Sequence, residues 1–390
     1  MGLPQELVGH VMDMLCDDIL ALKACSLTCK AMFASTRHLI HGALKLGQKN
    51  TLRAELRLIS SMDERGLLQY VRRVHICAQY SLTPEILLPH LHYFQLLNQV
   101  HTLTIDHFCP DRWNYDSTSF SHLYPTPTTS LTLHHPRNHD QLLNFVLHFP
   151  NLENLSLQWL RLHGDLELSL TDITTPERTP PLRGCLRLVG YYGVSAQPST
   201  ALFCEPPTGF NFRSVELYEN FPESQARNAL NACARTLEIL TIVKVHSLGN
   251  LRLPFLPSVI ADRFCDPSID RSELQLTEMA VLRRLTLRMA AFSDLDIPLV
   301  RMLSTIVSPA FCEFVLELGG SSPLPGRESM EKWGPWRDFD NLVEDNFATN
   351  RDFRFIIKTS EPPDWEELRK RAEQGFPLLA GRGCIYLETL

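Results

Sequence analysis

Apolar residues recur along the chain in a six-residue pattern, apolar-x-x-apolar-x-apolar. Its copies, two of which lack the first apolar residue, end at Ile76, Ile105, Leu133, Leu157, Leu188, Leu217, Ile242 and Leu287. Successive copies are 24 to 31 residues apart, except for one interval of 45. Alternation at the end of the pattern places two side chains on one side of a strand and one on the other. The pattern therefore predicts a series of strands, each with one buried side. Further strands are expected at 312–318, 353–358 and 384–387.

The period and the pattern resemble those of leucine-rich repeats, which run roughly 20–29 residues with Leu-x-x-Leu-x-Leu at the strand. The Asn or Cys that usually follows the strand is mostly missing, so the resemblance is to a degenerate class. It implies an α/β fold: an irregular solenoid with a curved parallel sheet and helical or irregular return segments. Residues 84–97 and 139–149 have helical apolar spacing and are candidate return helices. A parallel sheet whose strands alternate with helices is the competing architecture, because its period is similar.

The first 46 residues have helical rather than strand spacing. Leu7, Val11 and Leu15 fall on one face of an amphipathic helix. Asp17 and Asp18 offer N-cap chemistry for a second helix, and a third is expected over 31–46. Three short helices make a thin core, which gains stability by burying its remaining apolar surface against a partner.

The segment LPQELVGHVMDMLCDDILALKACSLTCKAMF resembles the F-box. The family pattern is Leu-Pro-x-Glu-Leu, an apolar helix, a short polar turn, a leucine and a Cys/Ser-x-x-Cys/Ser-Lys/Arg segment. The sequence is especially similar to F-box-like proteins of mushroom-forming (basidiomycete) fungi. The resemblance implies that the helices bind the Skp-type adaptor of a cullin ubiquitin ligase. The adaptor contacts that it implies are Leu3, Pro4, Leu7, Val11, Leu15, Leu20, Leu27, Cys29 and Lys30. The alternative is a plain helical cap on a solenoid.

The chain is accordingly divided into four parts. An F-box-like helical domain covers 1–46, a helical connector 47–70, a degenerate leucine-rich-repeat array 71–318 and a capping region 319–390. The last part resembles the C-terminal end of the same fungal proteins. We expect a helix there that buries Trp365, Leu368 and Ala372.

Composition and charge narrow the class of protein. The formal net charge is −7, without a run of five basic residues, which disfavours nucleic-acid binding. We expect no membrane partner, since the sequence contains no apolar stretch of 18 residues and no signal peptide. The 11 cysteines show no disulfide framework, so cytoplasmic or nuclear residence in a reducing compartment is expected.

Candidate chemistry is sparse. Neither phosphate-binding glycine motifs nor zinc-protease or nucleophile-elbow motifs occur, so we expect no enzyme activity and no cofactor. Cys25 and Cys29, four residues apart, could form half of a metal site, but packing is the simpler interpretation. Two further sets contain side chains that can bind a metal: His101, His107 and Cys109, and His134, His135 and His139. Neither set has the residue spacing of a known zinc motif, so we expect no metal.

The leading hypothesis is a noncatalytic substrate receptor of a Skp/cullin/F-box ubiquitin ligase, with a protein substrate of unknown identity on the repeat array. One alternative is a scaffold that binds the adaptor but promotes no ubiquitylation, and another is an enzyme without recognisable motifs. The candidate substrate face consists of outward strand residues, namely Thr104, Thr132, Ser156, Glu216 and Thr241.

Overall fold

The computed structural model divides the chain into two compact units, residues 1–180 and 181–390. It describes residues 4–15, 18–46, 52–77, 97–106, 127–134, 146, 149, 151–160, 184–190, 211–218, 223–243, 276–289, 303–319, 334–347, 350, 352–359 and 364–390. The predicted return helices at 84–97 and 139–149 fall almost entirely outside these residues. Each unit is an α/β structure and is described separately below.

The first unit contains four α-helices, a 3-10 helix (Leu68–Tyr70) and five strands among its described residues. The helices are α1 (Gln5–Met14), α2 (Ile19–Ser26), α3 (Lys30–Ile40) and α4 (Leu52–Glu64). The strands are β1 (Ala43–Leu46), β2 (Arg73–Cys77), β3 (Thr102–Asp106), β4 (Ser130–His134) and β5 (Asn154–Leu160). Each strand pairs in parallel with the next strand along the chain, from β1 to β5.

The second unit repeats this arrangement with seven strands and four helices in the residues that the structure describes. Its strands are β6 (Cys185–Gly190), β7 (Ser214–Tyr218), β8 (Ile239–Val243), β9 (Arg284–Met289), β10 (Glu313–Leu318), β11 (Arg354–Thr359) and β12 (Ile385–Thr389). Its helices are α5 (Glu223–Cys233), α6 (Gly334–Phe347), α7 (Trp365–Gly375) and α8 (Pro377–Gly381). All the strands pair in parallel and in chain order.

The predicted parallel sheet of a solenoid is therefore confirmed, strand by strand. Every segment expected to be a strand contains one, from the pattern ending at Ile76 to the C-terminal segment at 384–387. In the first unit, β1 lies before residue 71 and pairs with β2. In the second unit, β11 and β12 lie after residue 318 and continue the pairing from β10.

The third predicted helix, over 31–46, is too long. Helix α3 ends at Ile40, and the next residues turn into β1. The carbonyl oxygen of Gly42 accepts hydrogen bonds from the backbone N–H groups of both Arg72 and Arg73, each at 2.9 Å. Leu44 and Leu46 then alternate with exposed residues, so the last apolar residues assigned to the helix belong to the sheet. By contrast, the helix expected between residues 47 and 70 is present as α4, Leu52–Glu64.

The core of the first unit lies along the inner side of its strands. Register aligns two rows of buried side chains, so each strand adds one residue to each row. The first row is Leu44, Val74, Leu103, Leu131 and Leu155, and the second is Leu46, Ile76, Ile105, Leu133 and Leu157. A strand with one apolar side cannot close a core alone, and the stacked rows supply the missing contacts.

Thr128 shows how a degenerate copy of the pattern is accommodated. It occupies the position of the first apolar residue in its copy, and it is 1% exposed. Its hydroxyl donates a 3.1 Å hydrogen bond to the backbone carbonyl oxygen of Val100, on the preceding repeat. The buried polar group is therefore satisfied and links neighbouring repeats.

Replacing Thr128 by valine restores the apolar pattern, yet we expect it to lower the free energy of unfolding by about 1–2 kcal/mol, because the Val100 carbonyl loses its partner in a buried setting. Urea denaturation of the full chain measures the change. Thr129→Val is the control, since the Thr129 hydroxyl is 3.5 Å from its acceptor, the His101 carbonyl oxygen. Equal stability of the two variants would show that the Thr128 hydrogen bond contributes nothing.

Aromatic residues dominate the C-terminal core of the second unit. Phe355 on β11 is fully buried and contacts Phe314, Phe339 and Phe376, with ring centroids 5.6, 5.5 and 4.9 Å away. These three rings come from β10, from α6 and from the residue before α8. The aromatic cluster thus joins sheet and helices in this unit.

Helix α7 is placed as predicted but not oriented entirely as predicted. Leu368 and Ala372 are buried, whereas Trp365 is 39% exposed. Trp365 is the first residue of the helix, after Asp364, whose carboxylate accepts a hydrogen bond from the Glu366 N–H at 2.8 Å. The expectation that Trp365 lies inward was therefore wrong.

Candidate functional site

The three N-terminal helices share one small core. Val8 and Met12 on α1 and Leu22 on α2 are buried, and Leu15 is among the half-buried side chains that pack against them. Asp18 caps α2, accepting a 2.9 Å hydrogen bond from the Ala21 N–H. Helix termini expose unpaired N–H groups, so this cap fixes where α2 begins. The predicted capping role of Asp18 is confirmed.

A second apolar stripe on α1 faces outward. Leu7, Val11 and Met14 are 49%, 43% and 85% exposed, and they lie at i, i+4 and i+7. Val8, Met12 and Leu15 have the same spacing one residue later and face the core. Helix α1 is therefore apolar on two adjacent stripes, although its core needs only one. Large apolar side chains clustered on a surface mark interaction sites.

Helices α2 and α3 carry further exposed apolar side chains. Ile19 and Leu20 lie at the start of α2, Leu27 lies at its end, and Phe33 lies in the first turn of α3. Leu20 is 78% exposed and Leu27 is 87% exposed. We call the exposed apolar residues of the three helices the outer apolar surface: Leu7, Val11, Met14, Ile19, Leu20, Leu27 and Phe33.

The predicted adaptor contacts divide into three groups. Leu3 lies outside the described residues, and Leu15 packs against the helical core. The remaining predicted contacts are all exposed: Pro4, Leu7, Val11, Leu20, Leu27, Cys29 and Lys30. Sequence analysis did not include Met14, Ile19 and Phe33, although the helical spacing of Leu7, Val11 and Met14 could have indicated the first of them.

The cysteines of this region have packing and capping roles. Cys25 is half-buried and packs against the helical core. Cys29 is exposed, and its sulfur accepts a 3.5 Å hydrogen bond from the Met32 N–H at the start of α3. Cys25 thus contributes to packing, and Cys29 to the start of α3. Elsewhere, burial raises the pKa of Cys233 to about 11, so that thiol stays protonated at neutral pH.

The outward side of the sheet carries the candidate substrate residues. In the first unit, Thr104, Thr132 and Ser156 stand side by side in register on β3, β4 and β5. In the second unit, Glu216 on β7 pairs with Thr241 on β8. All five side chains are half-buried. Their predicted outward alternation is confirmed, while substrate binding by them stays a prediction.

Ion pairs cross the outward face of the second unit. Arg288 lies 2.8 Å from Glu317 and 3.4 Å from Glu216, which in turn lies 3.6 Å from Arg187. Partial burial tends to lower the pKa of Arg288, but the two glutamates outweigh it and raise that pKa. Partly exposed ion pairs of this kind add little stability. Their main effect is to hold positive and negative side chains at fixed, alternating positions on this face.

The outward face of the first unit has a different chemistry. His75 and Cys77 on β2 lie beside Asp106 on β3, and a carboxylate oxygen of Asp106 is 2.8 Å from His75 Nε2. The Cys77 sulfur is 3.5 Å from the same His75 nitrogen. The other carboxylate oxygen of Asp106 is 3.8 Å from His134 Nε2 on β4. We call these four residues the β2–β4 cluster.

No sequence motif predicts this cluster. The sequence groups His134 only with its chain neighbours His135 and His139, which lie outside the described residues, as do His107 and Cys109. The members of the cluster come from successive repeats, 28 or 29 residues apart, which is a repeat period and not a zinc-motif spacing. Aligning the polar residues that end VRRVHIC, HTLTID and SLTLH would have revealed it.

Neither the family models nor the curated proteins contain a match to this chain. Among the residues that the structure describes, every helix is too short or too polar to cross a membrane.

Proposed function

We propose that this chain is the noncatalytic substrate receptor of a Skp/cullin/F-box ubiquitin ligase, as the resemblance of its first 46 residues implies. The observation that carries the proposal is the outer apolar surface. Helix α1 keeps Leu7 and Val11 exposed, while Val8, Met12 and the following Leu15 supply the contacts with the core. A surface of this kind gains free energy when a partner buries it.

The local chemistry of the surface suits an adaptor that recognises the F-box pattern. Leucines at the start and the end of α2 are almost fully exposed, and they are pattern residues with no core contact to explain them. Cys29 and Lys30 begin α3 and are exposed as well. These four pattern residues therefore lie where a docked protein can reach them.

The proposed mechanism is tethering. The helices hold the adaptor, and the outward face of the sheet holds a protein substrate. Binding both raises the effective concentration of the substrate near a ubiquitin-conjugating enzyme elsewhere in the ligase. This role requires no catalytic residue in the chain itself.

Capture of a purified Skp-type adaptor by the full-length chain tests the proposal. We expect a one-to-one complex on size-exclusion chromatography, and ubiquitin transfer to a partner captured from the source cells in a reconstituted ligase. If the adaptor does not bind, the proposal fails. If it binds but no captured partner is ubiquitylated, the chain is a scaffold and not a receptor.

A further inference from the structure

The β2–β4 cluster brings two imidazoles, a thiol and a carboxylate to one point of the first unit. Parallel register explains the convergence. Cys77 is the direct partner of Asp106, and His134 follows the last paired residue of β4 against β3. His75 lies two residues before Cys77, so the two side chains leave β2 on the same side.

The separations between the donor atoms match the size of a metal site. One donor atom each from His75, Cys77 and Asp106 lies within 4.8 Å of the other two. Zinc binds nitrogen and oxygen at about 2.0–2.2 Å and thiolate sulfur at about 2.3 Å, so tetrahedral ligand atoms lie about 3.3–3.8 Å apart. The Cys77–His75 distance, 3.5 Å, is already in this range. His134 lies outside this group of three, and its Nε2 is 3.8 Å from the other carboxylate oxygen of Asp106.

The donor set also selects the metal. Calcium and magnesium prefer oxygen ligands, whereas a thiolate with two imidazoles and one carboxylate suits zinc. A metal ion can reach the cluster from solvent, because the His75, Asp106 and His134 side chains are 31%, 26% and 18% exposed. Cys77 is at the inner end of the cluster and is 9% exposed.

We propose that His75, Cys77 and Asp106 bind one Zn²⁺ ion between strands β2 and β3, and that His134 moves in from β4 as the fourth ligand. At 2.8 Å, His75 and Asp106 share a hydrogen bond. Zinc takes the place of the proton in that bond, and the proton is transferred through solvent to His75 Nδ1, so that the ring binds as neutral imidazole. The two atoms move apart by about half an ångström to the tetrahedral spacing. The Cys77 thiol loses its proton to solvent when its sulfur binds the metal. This inference is independent of the proposed adaptor binding.

The test uses the full chain, stripped of metal by a chelator and then titrated with Zn²⁺ or Co²⁺. We expect one high-affinity equivalent, and a thiolate-to-cobalt charge-transfer band in the cobalt form. Asp106→Asn and His75→Ala weaken zinc binding by at least about a hundredfold, and Cys77→Ser removes the charge-transfer band. Zinc raises the melting temperature of the wild-type chain but not that of Asp106→Asn.

Two control variants address the many other thiols and imidazoles of the chain. Cys29→Ser removes an exposed thiol and His101→Ala an exposed imidazole, and both keep wild-type affinity and the cobalt band. The proposal is overturned if zinc binding survives in both Cys77→Ser and Asp106→Asn, or if the wild-type chain takes up no zinc. The cluster would then be a hydrogen-bonded network only.

Discussion

Replacing Leu7 by aspartate is expected to abolish capture of a Skp-type adaptor without unfolding the chain. Leu7 is 49% exposed on the outer apolar surface, so its loss removes little core packing. In the complex, the new carboxylate would be buried without a partner, which is strongly unfavourable. We expect the affinity to fall by at least about a hundredfold, as for a central interface residue. Calorimetric titration with purified adaptor measures this, and the melting temperature shows that the fold is retained.

The chain offers a closely matched control for this substitution. Leu58 on α4 is also a helical leucine that is 49% exposed, and it lies outside the F-box-like helices. Leu58→Asp should bind the adaptor as the wild-type chain does. Leu15→Asp is unsuitable, because Leu15 packs on the helical core and its replacement would confuse unfolding with lost binding. If Leu7→Asp binds as tightly as Leu58→Asp, the interface lies elsewhere.

Phe355→Ala is expected to destabilise the second unit by about 3–5 kcal/mol, the usual cost of removing a fully buried aromatic side chain. Its ring is the common neighbour of Phe314, Phe339 and Phe376, so truncation leaves a cavity between sheet and helices. Urea denaturation measures the effect. Hydrogen exchange on β10 and β11 locates it, since stacked repeats need not unfold in one step.

Tyr386→Ala is the comparison for this variant. Tyr386 is on the neighbouring strand and 43% exposed, and its ring lies 5.4 Å from the Arg354 guanidinium. Loss of an exposed cation–π contact should cost about 1 kcal/mol or less. Equal destabilisation by the two substitutions would contradict the central role of Phe355 in this core.

The strands were predictable because each one is defined by its own residues. In HTLTID, the alternation of Leu103 and Ile105 with threonines already specifies which side is buried. Strand β1 was missed because its leucines follow an apolar helix, and their helical and strand spacings overlap. Pairing with β2 makes this segment a strand. That contact joins residues about 30 positions apart, so the local spacing of apolar residues does not predict it.

The candidate sites were predictable to different degrees. The pattern residues on α1 were found, but the pattern did not separate Leu15, which faces the core, from Leu7 and Val11. That distinction depends on how α1 lies against its neighbours. The β2–β4 cluster was missed because its members are distant along the chain and meet only through strand register.

The direct turn from α3 into β1 has a consequence for the distance between the adaptor and a substrate, if the chain is a receptor of this kind. The Gly42 carbonyl joins the end of the three N-terminal helices to Arg72 and Arg73 at the start of β2, within one compact unit. Adjacent strands lie about 4.8 Å apart, so the distance from β1 to β5 across the sheet is about 19 Å. The strand on which a substrate lies would therefore set its distance from the adaptor, and with it which of its lysines ubiquitin can reach.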